Sequence, residues 1–80
     1  MKPTTLTVRG QKVSNRSNRR WLVVAVRPEP RDGYVAFADV RRRTDSLDTA
    51  RRQAYRFWNQ AGRGPGVLIL VVDSLTGEEV

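Results

Sequence analysis

The 80-residue chain contains no cysteine and no histidine. Without cysteine there is no disulfide framework and no thiolate metal site. Without histidine there is no imidazole ligand and no side chain whose ordinary pKa lies near neutrality. The Cys–His and Ser–His–Asp nucleophile systems are excluded with them. Long apolar runs are also missing: the longest, Val67 to Val72, is six residues, against about 20 for a helix that crosses a bilayer. The opening residues Met1-Lys2-Pro3-Thr4-Thr5 lack the apolar stretch of a secretion signal, and the expected location is the cytoplasm. Acids are scarce beside bases, eight Asp and Glu against 15 Lys and Arg, for a formal charge of +7. With 39% hydrophobic and 29% charged residues, the composition suits one small folded domain rather than a disordered chain.

Hydrophobic periodicity divides residues 1–80, a single domain, into short elements. Residues 4–9 alternate polar and apolar at Thr4, Leu6 and Val8, which predicts a strand ending at Gly10. Residues 10–20 hold one clear apolar side chain, Val13, and read as a basic arm or loop. The β-branched run Trp21 to Arg27 predicts a strand. Pro28-Glu29-Pro30-Arg31-Asp32-Gly33 then predicts a turn, and Tyr34 to Val40 the returning strand of a hairpin over 21–40. Arg41 to Thr44 extend that strand or begin another. Leu47, Ala50, Ala54, Phe57, Trp58 and Ala61 share one helical face, which predicts a helix over 46–61, capped by Asp45 or Ser46 and stopped by Gly62. Trp21 and Trp58 are expected in the core. Residues 67–73 predict a last strand and residues 74–80 an acidic tail. The fold class is α+β: a small three- to four-stranded sheet in the order β-β-β-α-β, with one amphipathic helix on one face.

That arrangement leaves a face to cover. Val67 to Val72 is apolar on both sides, and so is Trp21 to Val26, whereas one helix covers one side of a sheet. The second face needs either a second copy, which predicts a homodimer through the sheet face, or Leu6, Val8 and Val13 folded back as a lid.

Charge is unevenly distributed. Residues 1–28 carry seven bases and no acid, so the whole net charge resides there, while residues 29–80 are neutral. Within the second part, residues 41–63 carry seven Arg and two Asp, and the last eight residues are acidic. Two basic surfaces follow. One is the 9–20 arm, where Arg16, Arg19 and Arg20 stand among Ser and Asn, all donors to phosphate oxygens. The other is Arg41, Arg42 and Arg43 with the outer helix face, where Arg52 and Arg56 stack four residues apart. These eight arginines are the candidate site. The expectation rests on the cations of the first third having no internal partner: guanidinium groups turned back onto Asp and Glu of the same chain or of a second copy would overturn it.

Other motifs carry less. Gly62-x-Gly64-x-Gly66 follows a helix and opens a strand, the reverse of a phosphate loop, whose anion sits at a helix N-terminus. Asp39 and Asp73 with a lysine are the residues from which a magnesium-dependent nuclease would have to be built, and salt bridges to neighbouring arginines explain them better. No enzyme activity, cofactor or metal is expected.

The segments Leu22 to Val26, Asp32-Gly33-Tyr34-Val35-Ala36-Phe37 and Asp45-Ser46-Leu47 through Phe57-Trp58 resemble the N-terminal domain of HicB-type antitoxins over residues 21–73. The resemblance implies a β-β-β-α-β sheet-and-helix fold without catalytic activity. Arg41-Arg42-Arg43 stands where that family carries a Pro-Gly-Cys type segment, and this chain is basic where such domains tend to be acidic. Together these features predict a non-catalytic nucleic-acid-binding protein of accessory or regulatory kind, as in bacteria and their phages, which holds phosphates through arginines. The alternative is a protein-interaction module that regulates an acidic partner protein.

Overall fold

The computed structural model describes residues 4–60 and 64–80. Five strands and a helix follow in the order β1 (Thr4–Val8), β2 (Gln11–Asn15), β3 (Trp21–Arg27), β4 (Phe37–Thr44), α1 (Leu47–Trp58) and β5 (Leu68–Asp73). Strands β1 and β2 form an antiparallel pair, and β4, β3 and β5 form an antiparallel sheet with β3 in the centre. The fold is α+β, as expected. The predicted helix residue Ala61 and its stop Gly62 lie outside the described residues.

Strand β3 explains why this sheet needs covering twice. Its side chains alternate between two apolar clusters. Leu22, Val24 and Val26 join Val72, with Val8 and Val13 from the β1–β2 hairpin. Val23 joins Val71 and Ala50 of α1, with Trp21, Leu47, Ala54, Phe57 and Ile69 packed around. Burial on both faces requires an unbroken apolar strand, not an alternating one. The molecule is therefore three layers: helix, three-stranded sheet, hairpin.

The hairpin corrects the reading of residues 10–20 as an arm. Gln11–Asn15 is a strand, joined to β1 by a two-residue turn in which Arg9 (φ 49°) and Gly10 (φ 82°) are both left-handed. That geometry matches the twist of an antiparallel pair. The remaining residues, 16–20, are also held. Asn15, 5% exposed, accepts from Ser17 N and Oγ through Oδ1 and donates from Nδ2 to the Arg19 carbonyl. Ser74 donates from its amide to the Arg20 carbonyl and from Oγ to that of Arg19. Leu6, Val8 and Val13 thus fold back over the sheet, and the apolar face that motivated a homodimer is occupied by the chain's own hairpin.

The returning strand begins at Phe37, not Tyr34. Asp32 (φ 50°) and Gly33 (φ 83°) close a tight turn with paired bonds between Arg31 and Tyr34. The chain then reaches the sheet past Arg27, which is 6% exposed. Its guanidinium donates to the carbonyls of Pro65 (2.8 Å) and Val35 (3.0 Å) and lies over the rings of Tyr34 and Phe37. Arg27 is a structural cation that ties two loops together. Ser46 caps α1, accepting from Thr49 N at 3.2 Å. Trp58, expected in the core, is 46% exposed, one residue beyond the half-buried Phe57.

Candidate nucleic-acid interface

Strand β4 lies at one edge of the sheet. Its register against β3 shifts between Val23, paired with Arg42, and Val24, paired with Val40. Arg41 is the extra residue of a β-bulge, a device that bends an edge strand and redirects the side chains beyond it. Before the bulge, Ala38 and Val40 pack toward the hairpin. Beyond it, Arg42 lies opposite Val23, on the helix side, and Arg43 opposite Leu22, on the hairpin side. The three successive arginines are thereby sent three ways.

Arg41 pairs with Asp39 of the same strand at 3.5 Å. Arg42 stacks over the Phe57 ring at 5.6 Å and lines an open groove of about 280 Å³ with Gln53, Arg56, Phe57 and Gln60. Arg43 reaches the Ser14 carbonyl at 3.4 Å. It lines a second groove of about 300 Å³ between β4 and β2, together with Lys12 and Arg16. Asp39 also borders this second groove, and its carboxylate faces Arg41. Among the described residues, none of Lys12, Arg16, Arg42, Arg43 and Arg56 forms a salt bridge. Two grooves with unneutralised cations therefore flank one strand edge. Lys12 completes the second groove although the arginine-based reading did not single it out; its signal was the alternation Gln11-Lys12-Val13-Ser14, a strand pattern with Lys on the polar face.

Other candidate arginines are engaged elsewhere. Arg19 pairs with Asp45 and Arg52 with Asp48, one helical turn apart. Arg20 forms a forked pair with Asp73, Nε to Oδ1 at 3.2 Å and Nη2 to Oδ2 at 3.0 Å, and stacks on Trp21 at 4.6 Å. Arg9 forks onto Glu79 at 2.7 and 2.8 Å. The expectation that the cations of residues 1–28 lack internal partners is therefore wrong for Arg9, Arg19 and Arg20. Each finds an acid distant in sequence, where composition alone does not locate it.

The pairs at the far edge shape their own electrostatics. The fork from Arg20 holds the Asp73 carboxyl below its usual range, opposed by partial burial and helped by the Leu75 amide. The fork from Arg9 lowers the Glu79 carboxyl in the same way, again opposed by burial. These contacts fasten the tail. Glu79 bridges Val72, Val80 donates its amide to the Val71 carbonyl, and Asp73 donates its amide to that of Glu78. Asp39 and Asp73 stand on the two outer strands, opposite Ala25 and Trp21 of β3, each with its own arginine. They are not brought together as a metal-binding pair. Comparison with protein-family models, with curated proteins and with solved structures finds no match for this chain.

Proposed function

We propose that this chain is a non-catalytic nucleic-acid-binding protein of accessory or regulatory kind, which holds the phosphate backbone along the β4 edge. The observation that carries the reading is the contrast within one strand. The bulge at Arg41 turns Arg42 and Arg43 into separate grooves, where Arg56, Arg16 and Lys12 join them without a carboxylate partner. Unpaired like charges gathered on one edge repel each other, and a polyanion relieves that repulsion. Neutral donors that hold phosphates elsewhere, such as Ser and Gln side chains, stand in the same grooves at Ser14 and Gln60. The HicB-type resemblance carries over a fold only, not a role, and assigns no residue to this edge.

The test is a titration of labelled duplex DNA and single-stranded DNA by fluorescence anisotropy at 50 and 200 mM salt. Five phosphate contacts predict a loss in affinity of about 500-fold for a duplex and about 100-fold for a single strand over that range. Absence of binding to either at 50 mM overturns the proposal. A second reading, docking of an acidic protein partner, is favoured by Tyr55 and Trp58. They stand 72% and 46% exposed, three residues apart in the last turn of α1. Tyr55→Ala distinguishes the two readings, because it leaves the salt-dependent affinity for DNA unchanged if phosphates are held at β4.

A further inference from the structure

The groove between β4 and α1 has features that phosphate contact does not use. Its wall is the half-buried ring of Phe57, and Arg42 lies over that ring. Gln53 on the helix and Gln60 just beyond its end add two amides. Among the described residues, Gln53 Oε1 is the one buried side-chain oxygen or nitrogen with no hydrogen-bond partner. A buried acceptor without a donor costs about 1–3 kcal/mol, and it marks a place where a donor from outside the chain would be stabilised. At about 280 Å³, the groove lies near the lower end of the range for small-ligand sites, roughly 300–1,000 Å³. That is room for a planar ring system.

We infer that this groove takes one unpaired nucleobase, inserted between the Phe57 ring and the Arg42 guanidinium, with Gln53 Oε1 accepting from its hydrogen-bonding edge. The inference rests on the phosphate-binding reading and names its substrate class, single-stranded nucleic acid. Arg42 is exposed and unpaired with any carboxylate among the described residues, and giving up its one bond, Nη1 to the Arg41 carbonyl at 3.2 Å, lets it lift from the ring to admit a second plane. A base stacks on an aromatic face irrespective of its identity. Every base has an N–H on the edge that pairs in a duplex; in a duplex that N–H is already taken, so only an unpaired base supplies it. Arg56, on the same groove, is placed for the phosphate attached to the inserted nucleotide.

The experiment compares three labelled probes with equal phosphate numbers per strand at 50 mM salt: a 12-nucleotide oligocytidylate, the same backbone with abasic sugars, and a 12-base-pair duplex. The oligocytidylate is expected to bind at least about fivefold more tightly than the abasic strand, the lower bound for one stacked base. Phe57→Leu is expected to remove that advantage and leave the abasic affinity unchanged. Because Phe57 also packs in the helix-side cluster, Gln53→Leu serves as the second variant, with a loss of about three- to tenfold confined to the base-bearing strand. Equal affinity for the base-bearing and abasic strands, both unaffected by Gln53→Leu, overturns the base site and leaves the phosphate reading intact. Binding of the oligocytidylate with none of the abasic strand or duplex does the reverse. Failure of all three probes to bind overturns both.

Discussion

The two edges of the central sheet use the same residue type in opposite ways. At the β5 edge, Arg20 and Arg9 are forked onto Asp73 and Glu79, and the chain's last residues are bonded along the strand. At the β4 edge, Arg42 and Arg43 carry no acid partner among the described residues, and Lys12, Arg16 and Arg56 stand beside them in the same state. Arginine at the first edge is a fastener, because the fork matches a carboxylate and fixes two segments of chain. Arginine at the second meets neutral groups, Arg43 the Ser14 carbonyl and Arg42 the Arg41 carbonyl and the Phe57 ring, and keeps its charge. Net charge therefore says little about where a polyanion binds; the pairing pattern says more. Four of the seven cations of residues 1–28 are engaged within the fold: Arg9, Arg19 and Arg20 with acids, and Arg27 with the Pro65 and Val35 carbonyls.

Breaking the β4 edge should have the largest effect. Replacing Lys12, Arg16 and Arg43 together by Ala is expected to lower the slope of log affinity for duplex DNA against log salt by about three, one contact each. Thermal unfolding should barely change, since these side chains are exposed. The mirror experiment is Arg20→Ala at the β5 edge. It leaves the Asp73 carboxylate, 5% exposed, without its forked partner, and removes the stack on Trp21. The expected result is a fall in Tm of several degrees with the salt slope unchanged, measured by calorimetry and by the same anisotropy titration.

Acid provides a smaller and graded version. Asp73 and Glu79 are held below their ordinary carboxylate range in the folded chain. Their contribution to stability is present above the unfolded carboxylate pKa and is lost as pH falls through the lowered folded values. Tm measured from pH 7 down to pH 2 should therefore decline on the acid side. In Asp73→Asn the decline should be shallower, because one of the two shifted groups no longer titrates. The smallest effect is expected at Arg52. Its pair with Asp48 joins side chains 73% and 71% exposed, and Arg52→Ala should change stability by no more than about 0.5 kcal/mol. A loss of DNA affinity comparable to that of the triple replacement would place the interface on the outer helix instead.

Much of this fold is legible in the residues. The β-branched run of β3, the Asp32-Gly33 turn, the Ser46 cap and the periodic helix each have a local cause, and a local cause can be read from a short window. Strand β2 is harder because its turn places Arg9, an unusual left-handed residue, where Asn or Asp would announce a hairpin. The bulge at Arg41 leaves no mark at all in the triplet Arg41-Arg42-Arg43. It arises from the register that β3 imposes on its neighbour. The same limit explains the site. Arg16, Arg42, Arg43 and Arg56 stand out as basic residues, but Arg19, Arg20, Arg41 and Arg52 look identical to them in a list of charges. For Arg19 and Arg20 the difference is tertiary pairing, across 26 and 53 residues, whereas Arg41 and Arg52 pair with acids two and four residues away, Asp39 and Asp48.

The most direct measurement is a set of amide chemical-shift changes on adding a single-stranded oligonucleotide at 50 mM salt. The account predicts that they concentrate on Gln11–Arg16, Phe37–Thr44 and residues 53–60 at the end of α1 and just beyond it, with the residues around Asp73 and Glu79 unmoved. Changes confined to the β5 edge and the tail, or no changes anywhere, would contradict it.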